Sequence, residues 1–219
     1  MPPTSSKERK AAKKHNDYQF GYGGGKLACE QALLSASKGP EQLPVVILRL
    51  PDVMGPFDNL GSHLEIQRAL QAGEAVPVSL AEEHGIADPH SHRVSIVYAP
   101  DVVAAIHAAA GGAAGSVVGK VFHLGSRETP TVPEYVTMVA QALTKLVGGQ
   151  GDGGKQSVRF DVDKEAPFPS VDVGPICISA ALAQLPGWEP TPMQEWVERT
   201  VEWNMDEANR SYSDLMDTL

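Results

Sequence analysis

Cysteine is nearly absent from this chain: its 219 residues include two, Cys29 and Cys177. Two thiols in apolar sequence contexts cannot make a disulfide framework, so a reduced, cytoplasmic protein is the expectation. Long apolar runs are lacking too. No stretch approaches the roughly 18 residues of a membrane helix, and no apolar segment of the signal-peptide kind follows Met1. Net positive charge is missing. The balance is −9, and the basic start (Lys7, Arg9, Lys10, Lys13 and Lys14 against Glu8) contributes +4, which leaves −13 for the rest. An acidic body of that size excludes a broad nucleic-acid-binding face.

What remains is the make-up of a globular protein of one large domain, or a domain with a lobe. Residues 1–16 read as a polar, basic, irregular tail. Residues 23–37 read as a helix with Leu27, Leu33 and Leu34 inside. Val45–Leu50 is a β-branched run suited to a buried parallel strand. Ser62-x-x-Glu65, Thr131-x-x-Glu134 and Thr191-x-x-Gln194 have capping-box spacing, for helices over 63–72, 133–147 and 192–207. Further strands are expected at 76–78, 93–98, 121–124 and 157–162. An alanine-rich helix should open at Pro100-Asp101, and Ser179 should cap a short helix to Leu185. Residues 81–92, Gly111–Gly119 and the five-glycine stretch Gly148–Gly154 read as loops. Trp188, Trp196 and Trp203 are candidate core residues near the end of the chain. Alternating strands and helices imply an α/β fold.

The chemistry-bearing stretch is Tyr22-Gly23-Gly24-Gly25-Lys26. On a helix, residues four apart share a face. An ammonium held near a phenol stabilises the phenolate form, and such a phenol can exchange a proton with a substrate hydroxyl. Taken alone, the spacing is also compatible with an ordinary helix start. The three glycines would let another backbone or a cofactor come close.

Tyr22-x-x-x-Lys26 with the trailing Glu30 resembles the active-site helix of short-chain dehydrogenases/reductases. Four later segments resemble, in order, the NAD-dependent epimerase/dehydratase family, the extended members of that group. They are Leu48–Pro56, Arg93–Ala105, Val121–Gly125 with Thr131–Leu143, and Leu185–Thr191. The resemblance implies a partial Rossmann-type parallel sheet over 17–125, with the loop 81–92 on the substrate side, and a small C-terminal α+β substrate lobe over 126–219. It implies NAD or NADP as cofactor and a carbinol or ketone substrate, often a nucleotide sugar. Tyr22 would be the acid/base and Lys26 would bond the nicotinamide ribose. Leu50 and Val53 would lie against the nicotinamide, Asp52 and Arg93 would face substrate, Asp101 would be structural, as a helix-start cap, and Ser6, with Thr4 and Ser5, is a candidate third hydroxyl.

The family opens with a glycine-rich phosphate turn between a strand and a helix, and no such segment occurs here. The chain therefore reads as the C-terminal portion of such an enzyme, lacking the nucleotide-binding half. The alternative is a non-catalytic relative serving as a binding or scaffolding module. An exposed edge at Val45–Leu50 would favour a homodimer or pairing with another chain. No metal is expected. His84, His90 and His92, like Asp161, Asp163 and Glu165, fall short of a recognised ligand pattern.

Overall fold

A computed structural model of the chain describes residues 6–40, 42–58, 61–77, 91, 93–111, 114–148, 158–161 and 174–206. The first element is helix α1, Ser6–Lys38. The strands are β1, Ile47–Arg49, β2, Asp52–Met54, β3, Val76–Pro77, β4, Ile96–Tyr98, β5, Val121–His123, and β6, Phe160–Asp161. Between and after them come α2, Ser62–Ala72, α3, Ala99–Ala110, α4, Ala114–Val117, α5, Val132–Leu146, α6, Ser179–Gln184, and α7, Met193–Met205.

All three ladders are parallel: β1 with β5, β2 with β4, and β3 with β6. β1 and β2 are one extended run broken at Leu50-Pro51, since proline has no N–H to donate to a ladder. Before the break the run pairs Ile47 with Val121, and after it Asp52 with Ile96. The expected strand 93–98 is regular only from Ile96, and Arg93 makes an isolated antiparallel bridge to Thr131.

β4 is buried on both sides and divides the core. Ile96 and Tyr98 join Met54, Ile66, Leu70, Tyr135, Val139, Trp196 and Val201 on one face. Val97 joins Ala105, Phe122, Leu124, Ala181, Leu185 and Trp188 on the other. This alternation is the period-2 pleat of a strand covered by helices on both faces. Trp188 and Trp196 are buried as expected, and Trp203 is half-buried with its ring centroid 5.0 Å from that of Phe57.

Several local expectations are corrected. The tail is helical from Ser6, because the run Lys7–Lys14 consists mostly of good helix formers and an established helix propagates at little further cost. The three glycines lie within this helix and do not begin it. Leu27 and Leu33 are exposed, because the half-buried stripe among the described side chains of α1 is Glu30, Leu34 and Ser37, at i, i+4 and i+7, with Ala36 beside it. The loop 111–119 contains the short helix α4.

Only one of the three capping boxes forms. Thr131 accepts from the Glu134 N–H, and the Glu134 carboxylate accepts from the Thr131 N–H. At α2 the N-cap is Gly61, held at φ 68°, which pushes Ser62 inside the helix. At α7 the N-cap is Pro192, and Thr191 bonds elsewhere. Ser179 lies inside α6, whose N-cap is Ile178. His84, His90, His92, Asp163 and Glu165 lie outside the described residues.

Candidate functional site

Tyr22, Lys26 and Glu30 form one ridge of α1. The Lys26 ammonium stands over the Tyr22 ring, 5.3 Å from its centroid. Attraction between a cation and the ring face favours this arrangement. Both side chains are exposed, Tyr22 by 59%. A Cβ added at Gly23, Gly24 or Gly25 would meet nothing within 4 Å, so the surface beside the pair is open.

One turn further on, the ridge is tied to the sheet. Arg49 of β1 grips Glu30 with two parallel bonds, Nε to Oε1 at 2.9 Å and Nη2 to Oε2 at 2.6 Å. The guanidinium hydrogen bond holds the Glu30 carboxyl below the usual carboxylate range, and Glu30 raises Arg49 in return. His123 of β5 completes the cluster, with Nε2 3.4 Å from Arg49 Nη1. The residue after Arg49 is Leu50, which is exposed, and Asp52 and Val53 follow, half-buried, across the break.

Arg93 is placed elsewhere, on an open groove of about 720 Å³ lined also by Thr129, Glu134, Met138 and Gln194. Its Nη1 donates to the Thr129 carbonyl at 2.7 Å and reaches the Glu134 carboxylate at 3.5 Å. Ser6 opens the same helix as Tyr22 but about 24 Å away along the axis, a separation no side chain spans. Thr4 and Ser5 lie outside the described residues. Among the described residues, no three His, Cys, Asp or Glu side chains gather as metal ligands, and no helix is long and apolar enough to cross a membrane.

Asp101 does not cap its own helix. Its buried carboxylate accepts the Thr191 N–H at 2.9 Å and the Thr191 hydroxyl at 2.7 Å. Its carbonyl accepts the Trp188 indole N–H at 2.9 Å. Burial pushes the Asp101 carboxyl up, and the two Thr191 bonds oppose that. This latch joins the start of α3 to the segment leading into α7.

Two polar clusters escaped the sequence reading. An arginine in the apolar run Val45–Leu50, with a glutamate on the Tyr22–Lys26 ridge, is the signal that could have found the Glu30–Arg49 pair. The other cluster, His63 of α2 bonded through Nδ1 to the Tyr135 hydroxyl at 2.5 Å, is buried and has no local sequence signal.

The fold has solved counterparts. UDP-glucose 4-epimerase from Thermotoga maritima, solved with UDP-glucose, aligns at TM-score 0.57 and 22% identity over 83% of this chain. dTDP-glucose 4,6-dehydratase from Bacillus anthracis, solved with NAD, aligns at 0.59 and 18% over 85%. UDP-glucuronic acid 4-epimerase from Bacillus cereus, solved with UDP-glucuronic acid and NAD, aligns at 0.60 and 19% over 84%. In each case the chain spans about half of the solved structure, 52% of its length. No curated protein sequence matches significantly. The family model for NAD dependent epimerases/dehydratases matches residues 2–125, more than half of the sequence, and this chain belongs to that family.

Proposed function

We propose that the chain is the catalytic-helix and substrate-lobe portion of an NAD(P)-dependent epimerase, dehydratase or reductase, with Tyr22 as its acid/base. The observation that carries this reading is the Lys26 ammonium over the Tyr22 ring, on a helix inside the family-matched region. In this reading the Rossmann-type portion with the catalytic helix is residues 17–125 and the substrate lobe is 126–219.

The residues present fit one end of the cofactor. The Tyr22 hydroxyl and the Lys26 ammonium offer hydrogen-bonding groups to a ribose diol, and the open surface along Gly23–Gly25 leaves room for it. Leu50 and Val53 offer an apolar edge to a nicotinamide. The pyrophosphate end needs a glycine-rich turn that this sequence does not contain, and a nucleotide-binding half has to supply it. When bound, NAD(P) supplies a hydride acceptor. With that acceptor in place, Tyr22 would take the hydroxyl proton of a carbinol as the carbinol is oxidised to a carbonyl. In the reverse direction Tyr22 returns that proton. Lys26 keeps a positive charge beside the ring that exchanges the proton. Asp52 would face substrate beside this pair, whereas Arg93 could meet substrate only from the separate groove it lines, and a nucleotide sugar is the substrate class, in keeping with the compounds bound in the solved counterparts.

A second reading, a non-catalytic binding module, draws on the exposure of Tyr22 and the missing phosphate turn. Titration and turnover separate the two. The 219-residue chain alone should bind NAD⁺ more weakly than micromolar, and tight binding would contradict the need for a second half. In the protein complemented with a nucleotide-binding half and given UDP-glucose, Tyr22→Phe should lower turnover at least about 100-fold with NAD⁺ affinity unchanged. Unchanged turnover would remove Tyr22 from the mechanism.

A further inference from the structure

Over its described side chains, residues 21–38, the helix carrying Tyr22 and Lys26 is mostly exposed, with a narrow half-buried stripe. An exposed helix can roll about its axis unless something directional stops it. Hydrophobic contact does not, because it is non-directional. The Glu30–Arg49 fork does, since two parallel bonds between planar groups fix orientation as well as distance.

We propose that Glu30 and Arg49 are positioning residues that set the rotation of α1, and so the direction in which Tyr22 and Lys26 face relative to Leu50, Asp52 and Val53. Three observations carry it. Glu30 lies on the same ridge as the pair, two turns beyond Tyr22, so its anchor fixes the azimuth of all three side chains. Arg49 is the last residue of β1, directly before the segment that holds Leu50, Asp52 and Val53. The fork is half-exposed, with Glu30 at 17% and Arg49 at 44%, and such pairs add little to stability. Its worth is in geometry.

The geometric lever is large. Side chains on a helix reach about 5–6 Å from its axis, so a roll of about 30° moves them by about 3 Å. Displacements of about 1 Å at a reacting group can already cost on the order of 100-fold in rate. His123, 3.4 Å from Arg49 on the neighbouring strand, borders the fork on its far side.

The inference rests on the proton-relay reading of Tyr22 and Lys26, but its test uses no turnover. Failure of the Tyr22→Phe experiment and failure of this one are therefore distinguishable. In a Cys29→Ser, Cys177→Ser background, one spin label is placed on α7 at Glu202→Cys and a second on α1, at Leu27→Cys or at Leu33→Cys. Pulsed electron paramagnetic resonance gives both distance distributions. Leu27 and Leu33 point in different directions around the helix, so a roll shifts the two distances unequally, whereas melting broadens both. Arg49→Lys keeps the charge and loses the fork. It should shift the two distances unequally by about 3 Å or broaden them, with helix content by circular dichroism unchanged. Glu30→Gln should do the same, and the exchange Glu30→Arg with Arg49→Glu should restore much of the original distributions. The proposal is overturned if both distributions stay within about 1 Å in the single variants. It is equally overturned if those variants lose helix content that the exchange does not recover.

Discussion

Acidification from pH 7 to pH 4.5 should destabilise this protein through His63. The imidazole is buried and bonded through Nδ1 to the Tyr135 hydroxyl, and among the described residues Nε2 has no hydrogen-bond partner. Burial favours the neutral ring and lowers its pKa from 6.5 to about 4. The sign follows directly. Between those values the unfolded chain binds a proton that the folded chain refuses, so stability falls as pH falls through this window. The full shift corresponds to about 3 kcal/mol, of which about 2.5 kcal/mol is lost by pH 4.5. That is a large fraction of the roughly 5–15 kcal/mol that keeps a domain folded. Tyr135 does not titrate here, because burial first and the nearby Asp58 second push its phenol well above the ordinary range. Urea unfolding followed by tryptophan fluorescence at several pH values measures the effect, with buried Trp196 near Tyr135 as reporter. His63→Asn keeps a polar partner for Tyr135 and removes the titrating ring. Carboxylates elsewhere contribute equally to both proteins, so the variant should lose the extra 2.5 kcal/mol or so of pH dependence. Identical slopes in the two proteins would refute the reasoning.

Two further substitutions test the frame around the candidate site. Gly55→Ala places a Cβ 2.9 Å from the Tyr98 ring at a backbone φ of 133°. It should cost about 2–4 kcal/mol and lower Tm by roughly 5 °C or more in a thermal melt. Asp101→Ala strips the Thr191 N–H and hydroxyl of their acceptor, which should cost about 2–3 kcal/mol, read as a lower urea midpoint at constant slope. Asp101→Asn retains an acceptor and should cost less.

Much of the fold was legible because hydrophobic periodicity speaks for itself. The expected strands Val45–Leu50 and 93–98 are regular over Ile47–Arg49 and Ile96–Tyr98, and the helix expected over 133–147 spans Val132–Leu146. Helix ends were harder, because a cap depends on backbone that the residue letters do not specify. Thr131 caps α5 because its own φ and ψ are extended, while Ser62 has the same spacing and loses the position to a left-handed Gly61. Thr191 had a competitor 90 positions earlier in the chain, the Asp101 carboxylate, and no local window shows that. Within the candidate site, the Tyr22–Lys26 spacing was visible as a helical ridge. Its continuation through Glu30 to Arg49 crosses from helix to strand, and His63–Tyr135 joins two helices, so both needed three dimensions.

The break at Leu50-Pro51 has a consequence for how this chain can tolerate change. One continuous run serves two different neighbours, pairing with β5 before the proline and with β4 after it. Deleting a single residue there would leave one ladder in register and turn the side chains of the other to the opposite face. Insertions and deletions should therefore be confined to the loops beyond Gly55, and the spacing between Arg49 and Val53 should behave as a fixed ruler through any reshaping of the substrate side.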